Sequence, residues 1–280
     1  MQIIKQDTGI CIFKKDKNNF LKFSPERGGI ITDWISNNHR ILYFDKKRFL
    51  DTNKSIRGGI PILFPICGNL EKKSLFGSKY LNLMQHGFAR DLQWAYSLNK
   101  NKDCLNLKLV DNEITRKYYP FSFEITIDCI LEVSRLTFEI RILNKSLAKM
   151  PVNFGLHPYF NISDFKNIKL VNFSKNCLNQ MNNCIEQTEE AFKNISKGID
   201  LLMYSSGITS FKDFGLNRKI TLINPYPFDL SIMWSDPPRK MLCMEPWTSP
   251  RNSFISKIRN IEIPSNSSQK LFSSIEINNF

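Results

Sequence analysis

The sequence predicts an all-β protein, a large antiparallel β-sandwich with few short helices. Three observations support this fold class. Apolar and polar residues alternate over many short segments, turn-forming residues separate these segments, and helical periodicity is scarce. Strand after strand joined by polar turns is typical of sandwiches and barrels. We expect a single domain over residues 1–280, because no linker-like change of composition and no internal repeat interrupts the pattern.

The individual elements follow from periodicity and turn chemistry. Side chains that alternate in steps of two place the apolar ones on one face of a strand. Such alternation marks residues 104–110, 121–127, 136–142, 219–223 and 229–234. Turn signals occupy residues 99–103 (NKNKD), 224–227 (NPYP) and 235–238 (SDPP). The best helix candidate is the short segment 184–194, CIEQTEEAFKN.

The chain is strongly basic, with 39 Lys and Arg against 26 Asp and Glu and a net charge of +13. Such a surface attracts anions, including sugar phosphates, nucleic acid and acidic lipid. The lysines are scattered, however, and the densest basic runs, residues 14–17 and 46–48, lack the aromatic residues and motif context of a nucleic-acid module. We therefore expect no nucleic-acid partner.

The cysteines indicate the compartment. There are seven, an odd number, and no CxxC spacing occurs, which argues against a disulfide framework and a zinc site. The N-terminal segment lacks the apolar region of a signal peptide, and no run approaches the roughly 18 apolar residues of a membrane span. We expect a cytoplasmic protein with reduced thiols and no membrane partner.

Two segments in the first third of the chain break the strand pattern. In RGGIPILFPICG, residues 57–68, glycines and prolines punctuate an apolar run that Arg57 precedes. In QHGFARDLQW, residues 85–94, His86 and Arg90 flank a glycine that allows the backbone to pass close to a ligand. On spacing alone, a solvated loop residue and a ligand contact are equally good interpretations of these side chains.

Two later segments combine a titratable group with an apolar approach. In NFGLHPYFNI, residues 153–162, Pro158 favours extended backbone at His157, although a lone histidine in such a context more often packs in the core. In MLCMEPWTSPRNSF, residues 241–254, Glu245 continues an apolar run. Burial would raise its pKa toward neutrality, which suits a general base. The structural alternative is a carboxylate paired with Arg251.

Together these four segments resemble, in the same order along the chain, the aldose 1-epimerase (galactose mutarotase-like) family. The resemblance is carried by HGFAR, HPYFNI and EPWTSPRN, and by PERGGIITDWISNNHRILYFD (residues 25–45), which is similar to the family's opening hairpin. The RGGIPILFP and HGFAR segments are closer to the hexose-6-phosphate mutarotase branch. The resemblance implies a β-supersandwich fold that needs no metal and no cofactor.

The resemblance also implies roles for single residues. His157 would be the general acid and Glu245 the general base. His86 would hydrogen-bond the sugar, Arg57 would bind its hydroxyls or a phosphate, and Arg90 would add a second anion contact.

Aromatic side chains flank these polar groups. Tyr159 and Trp247 can pack against the apolar face of a sugar, whereas for Phe64 core packing is the better interpretation. The galactose branch also uses a substrate-binding aspartate, for which Asp200 and Asp213 are the two candidates.

The predicted function is mutarotation of an aldohexose or a hexose 6-phosphate by a monomer or a homodimer. One acid and one base across C1 and the ring oxygen can open and reclose the ring. We expect His157 and Glu245 to face one cavity, about a sugar ring apart. Two alternatives remain: a non-catalytic carbohydrate-binding or regulatory protein on the same scaffold, and an anion-associated or nucleic-acid-associated β protein.

Overall fold

Strands make up most of the regular structure. The computed structural model describes residues 1–6, 9–70, 74–76, 79–81 and 83–280. In the first half of the chain the strands are β1 (Gln2–Lys5), β2 (Cys11–Lys14), β3 (Phe20–Ser24), β4 (Ile30–Ser36), β5 (His39–Arg40), β6 (Ile62–Leu63), β7 (Ser74–Phe76), β8 (Lys79–Leu81), β9 (Ala95–Asn99), β10 (Cys104–Val110), β11 (Phe123–Leu131) and β12 (Arg135–Asn144). In the second half they are β13 (Met150–Val152), β14 (Gly155–Leu156), β15 (Tyr159–Asn161), β16 (Ile168–Val171), β17 (Asn176–Asn179), β18 (Cys184–Gln187), β19 (Ile199–Tyr204), β20 (Ile208–Asp213), β21 (Arg218–Ile223), β22 (Leu230–Ser235), β23 (Met241–Trp247), β24 (Ile261–Ile263) and β25 (Ser268–Asn279).

Two large sheets and one smaller sheet contain most of these strands. Sheet I has the order β16-β20-β21-β25-β12-β11-β10-β9. Sheet II has the order β18-β17-β19-β22-β23-β14-β6, and β15 also pairs with β23. Strands β1 to β5 form a sheet in sequence order, and β13–β24 and β7–β8 are two-stranded pairs. Within the described residues every strand pair is antiparallel, as predicted for an all-β sandwich.

The main hydrophobic core lies between the sheets. It takes Leu107 and Ile125 from sheet I, Met233 and Met244 from sheet II and Trp34 from the five-stranded sheet, all of them buried. Because one apolar cluster includes side chains from both large sheets, these sheets pack face to face. The face of sheet II that points away from this core is therefore free to carry a site.

The alternating segments lie on strands. Residues 104–110 form β10, and the other four segments overlap β11, β12, β21 and β22. The opening hairpin is also present, since Asn37 and Asn38 join β4 to β5 with φ angles of 48° and 65°. Asparagine tolerates this left-handed backbone, which a tight hairpin requires.

The helices are few and short, as expected. They are α1 (Lys46–Leu50), α2 (Glu113–Tyr118), α3 (Thr188–Phe192) and α4 (Ser253–Ser256). The predicted helix over residues 184–194 is wrong in its first part, because residues 184–187 form β18 and pair with β17. The neighbouring strand satisfies the backbone hydrogen bonds there, and this pairing overrides the local helical preference.

The cysteines are unpaired in the structure. All seven cysteines are free, and Cys184 is the exposed one. In the part of the chain that the structure describes, every helix is too short or too polar to cross a bilayer.

Candidate active site

Strand β23 supplies two surfaces at once. It is buried along its whole length, and its successive side chains point to opposite faces of sheet II. Leu242 and Met244 enter the core between the sheets. Cys243, Glu245 and Trp247 therefore point to the other face, where Glu245 and Trp247 line a cavity.

This cavity has a volume of about 150 Å³. Pockets for drug-sized ligands usually start at about 300 Å³, so the cavity suits a small molecule. The cavity brings together all seven side chains predicted for the site, namely Arg57, His86, Arg90, His157, Tyr159, Glu245 and Trp247.

Backbone hydrogen bonds place two of the unusual segments, residues 57–68 and residues 153–162, side by side. The amide of His157 donates to the carbonyl of Pro61 at 3.0 Å, and the amide of Tyr159 donates to the carbonyl of Gly59 at 2.9 Å. The segment 57–68, with its glycines and prolines, thus lies alongside the segment that contains His157. This pairing is why Arg57, at the start of that run, reaches the cavity.

His157 and Glu245 are in direct contact. Nε2 of His157 lies 3.3 Å from Oε1 of Glu245, closer than the expected width of a sugar ring. The indole Nε1 of Trp247 donates to Oε2 of Glu245 at 3.1 Å. The His157 ring stacks on Tyr159, with ring centres 4.6 Å apart and planes within 7°. Both side chains are therefore held by aromatic neighbours.

Burial controls where the proton of this pair resides. Burial, assisted by the positive charges of Arg90 and Arg57, lowers the pKa of His157 to about 3. Burial, assisted by the negative charge of Asp200, raises the pKa of Glu245 well above 4.5. The Trp247 hydrogen bond opposes that rise only in part. Both shifts favour the neutral forms, His157 without and Glu245 with its proton. Transfer of that proton to His157 gives an ion pair of the same net charge.

His86 has a defined tautomer. Its Nδ1 accepts a hydrogen bond from the amide of Gly68 at 3.0 Å. Burial lowers the pKa of His86 well below 6.5, and His157 and the nearby arginines add to this effect. The ring is therefore neutral and carries its hydrogen on Nε2, which makes that nitrogen a donor. Its backbone is left-handed, with φ of 66°, and this turns the ring toward His157, 5.6 Å away.

Three guanidinium groups line the cavity. Arg57 lies over the Trp234 ring at 5.0 Å and contacts Asp236 at 3.4 Å. Arg90 has a looser contact of 3.5 Å with Asp91.

The third guanidinium belongs to Arg251, which binds Asp200 at 2.5 Å. The structural alternative for Glu245, a pair with Arg251, is therefore not what the structure contains. Arg251 is paired with Asp200 instead.

The two candidate aspartates have different environments. Asp200, on β19, lines the cavity. Asp213, on β20 of sheet I, accepts hydrogen bonds from the amides of Ser163, Gly215 and Leu216 and so stabilises a turn. Only Asp200 is placed to meet a ligand of this cavity.

Phe64 belongs to the core, as expected. Its ring is fully buried among Phe88, Tyr119 and Phe123. Trp234, by contrast, was not predicted, although it lines the cavity and stands edge-on to both His157 and Tyr159. Its position in the alternating segment 229–234 was the available signal, but a strand pattern does not say which face binds.

One group of described residues has donor atoms suited to a metal. The ligand atoms of His157, Cys243 and Glu245 lie within 4.8 Å of one another. Burial raises the pKa of the Cys243 thiol well above 9.0, so the thiolate that a metal requires is disfavoured. Two good donors remain, one fewer than the three protein ligands of typical catalytic zinc sites. The residues present do not fit a metal.

Comparison with known proteins identifies the family. The family model described as aldose 1-epimerase matches residues 14–265. This chain belongs to the aldose 1-epimerase family. A curated relative from Salmonella typhimurium, which carries the provisional name glucose-6-phosphate 1-epimerase, is 30% identical over 156 residues. That match covers 55% of this chain and 46% of the relative, so the chain spans about half the length of the curated relatives it matches.

Solved structures extend the likeness over the whole chain. A Synechocystis sp. PCC 6803 protein is 31% identical, with a TM-score of 0.89, over 100% of this chain and 96% of that one. A galactose mutarotase-like protein from Clostridium acetobutylicum has a TM-score of 0.81 over 100% of this chain and 98% of that one, at 19% identity, which supports the fold alone. The predicted family and its sandwich fold are confirmed.

Proposed function

We propose that this protein is an aldose 1-epimerase that interconverts the α and β anomers of an aldohexose or a hexose 6-phosphate. The observation that carries the proposal is the contact of 3.3 Å between His157 Nε2 and Glu245 Oε1 at a cavity lined by polar groups. The ring oxygen and the anomeric hydroxyl are both bonded to C1. An acid and a base only a few ångströms apart can therefore serve both oxygens.

Ring opening needs one proton delivered and one removed. His157 gives a proton to the ring oxygen while Glu245 takes the proton of the anomeric hydroxyl, and the C1–ring oxygen bond breaks to leave an aldehyde. Rotation about the C1–C2 bond exposes the other face. Reclosure returns the proton from the chain hydroxyl to His157 and the proton from Glu245 to the new anomeric oxygen, so both groups are regenerated.

Ring opening uses an imidazolium and a carboxylate, whereas burial favours neutral His157 and protonated Glu245. Transfer of the proton across the contact of 3.3 Å converts the neutral pair into the ion pair without a change in net charge, at a cost in free energy. Positioned proton transfers of this kind contribute about 10²–10⁴-fold each.

The remaining cavity residues bind and orient the sugar. His86 offers an Nε2 hydrogen, and Asp200 offers carboxylate oxygens to hydroxyl groups. Tyr159 and Trp247 line the same space, and their contacts with His157 and Glu245 also hold the reactive pair in place.

Charge favours a phosphorylated sugar over a neutral one. Three guanidinium groups, of Arg57, Arg90 and Arg251, line the cavity, and of these Arg251 is tightly paired with the carboxylate of Asp200. A phosphate dianion seeks two or more charge-assisted donors. The name of the Salmonella typhimurium relative points in the same direction.

Substitution of the reactive pair tests the activity. Glu245→Gln and His157→Ala should each lower the enzyme-dependent rate of anomer exchange by about 10²-fold or more, because each removes one proton transfer. The rate is measured by polarimetry or NMR exchange on glucose and glucose 6-phosphate. Glu189→Gln, an exposed change of the same chemistry, should leave it unaltered. Full activity in both site variants, with the fold intact by circular dichroism, would refute the proposal. Sugar binding without turnover in the unaltered protein would favour the carbohydrate-binding alternative.

Comparison of two sugars tests the substrate class. Arg57→Met should raise KM for glucose 6-phosphate about 10-fold or more, since a hydrogen bond to a charged group contributes about 1.5–3 kcal/mol. The KM for glucose should change little, which makes the neutral sugar the internal control. An equal change for both sugars would contradict the assignment of Arg57 to phosphate.

A further inference from the structure

A second and larger cavity lies away from the site. It has a volume of about 450 Å³ and is bounded by the β4–β5 hairpin, the start of β21 and the end of β25. Its lining includes Arg218, Arg40, His39, Asn161, Asn217 and Asn278. Two arginines, a histidine and several amides make this surface rich in hydrogen-bond donors.

Arg218 is buried without a close counter-ion. The residue is 5% exposed, and in the described part of the chain no carboxylate lies within 4.0 Å of its guanidinium. Asp213 is the neighbour of Arg218 across the β20–β21 ladder, but its carboxylate accepts hydrogen bonds from the amides of Ser163, Gly215 and Leu216. The charge of Asp213 stabilises the guanidinium without direct contact. A buried cation with no anion in contact is still costly, because its lost hydration is only partly replaced.

The donors of Arg218 are also incompletely used. Its guanidinium donates to the backbone carbonyl of Asn161 and, at 3.5 Å, to that of Arg40. Its Nε is buried and has no acceptor among the described residues. Two hydrogen bonds leave three of the five N–H groups of an arginine unassigned. Arg40 contributes a second guanidinium, half exposed and paired with Asp33 at 3.0 Å.

We propose that this cavity is a second binding site, separate from the mutarotase site, for a small metabolite that carries a phosphate or carboxylate group. The anion accepts hydrogen bonds from Arg218 and neutralises its charge, while the surrounding asparagine amides bind the polar remainder of the ligand. The volume, three times that of the first cavity, admits a group larger than the anion itself.

The test measures binding of inorganic phosphate and of succinate to the full chain by isothermal titration calorimetry. An Arg57→Met background weakens any anion binding in the mutarotase cavity. Arg218→Met is the obvious variant, but it leaves buried carbonyls unpaired and can unfold the protein. Asn217→Asp is therefore the informative variant, because Asn217 is exposed on the rim and has a φ of 47° that aspartate tolerates.

The new carboxylate should repel the ligand and weaken the tighter of the two anions about tenfold in Kd. Asn183→Asp is the matched control, since Asn183 is an exposed asparagine with a φ of 59° outside this lining, and it should leave Kd unchanged. If phosphate binds more tightly than succinate, the charged group of the metabolite is a phosphate. The reverse order assigns a carboxylate. Absence of millimolar binding in the Arg57→Met background, or equal effects of the two aspartates, would overturn the proposal.

Discussion

At the scale of the residue, burial determines the chemistry of the site more than composition does. An exposed histidine titrates near 6.5 and an exposed glutamate near 4.3. In this cavity the pKa values of His157 and Glu245 move in opposite directions, because water no longer hydrates either charged form. The neutral forms of both groups are therefore favoured over the ion pair.

The same burial predicts a cost to stability. The native state keeps a proton on Glu245 that the unfolded chain loses above about 4.3, so the free energy of unfolding falls as pH rises through the raised native pKa. Glu245→Gln removes this term. Its stability gain over the wild type should therefore grow from pH 5 to pH 8, as measured by urea unfolding.

Glu189→Gln is the matched control for this measurement. Glu189 is exposed on α3, and its substitution should change stability little. A gain for Glu245→Gln that is constant between pH 5 and pH 8 would mean that this carboxyl has no raised native pKa.

At the scale of the element, a tight turn fixes the segment that carries His86 against the segment that contains Phe64. The amides of Phe88 and Ala89 both donate to the carbonyl of Phe64, at 3.0 and 3.3 Å. Gly87 passes so close to this carbonyl that a Cβ there would lie 2.1 Å from its oxygen, and its φ is 70°. Only glycine meets both requirements at this point.

Gly87→Ala should therefore be strongly destabilising. We expect a loss of about 2–4 kcal/mol, from left-handed strain and from displacement of the backbone. Gly198→Ala separates the two causes, because Gly198 also has a positive φ, 105°, but its nearest neighbour would be 3.7 Å away. The free energy of unfolding in urea should fall clearly less for Gly198→Ala, and equal losses would show that the close approach contributes nothing.

The strands were easier to predict than the helix expected over residues 184–194, for a physical reason. A strand with one buried face shows that face as alternation, as residues 104–110 do in β10. Glu186 and Gln187 suit a helix, yet residues 184–187 form β18 because β17 offers a partner. Such pairing depends on residues distant in space, so a local pattern does not contain it.

At the scale of the whole molecule, the net charge of +13 acts on stability. Like charges on a compact surface repel, and added salt screens that repulsion. Raising sodium chloride from about 10 mM to about 0.2 M at pH 7 should therefore raise Tm by about a few degrees. Near pH 9.4, the isoelectric point of the sequence, the effect should vanish. A Tm that falls with salt at pH 7 would show that local ion pairs outweigh the net repulsion.

Several properties of the whole molecule remain predictions from the sequence alone. They are the single domain over residues 1–280, the monomeric or homodimeric state and the cytoplasmic location.

The sequence by itself determined the antiparallel sandwich and pointed to the residues that converge at the site. It could do so because alternation reports a buried face, and because the segments that carry Arg57, His86, His157 and Glu245 resemble those of the aldose 1-epimerase family. Only the tertiary structure placed Asp200 and not Asp213 at the cavity, paired Arg251 with Asp200, and brought His157 and Glu245 into direct contact. These outcomes depend on which strands become neighbours and on how far water is excluded between them, and both are properties of the folded chain.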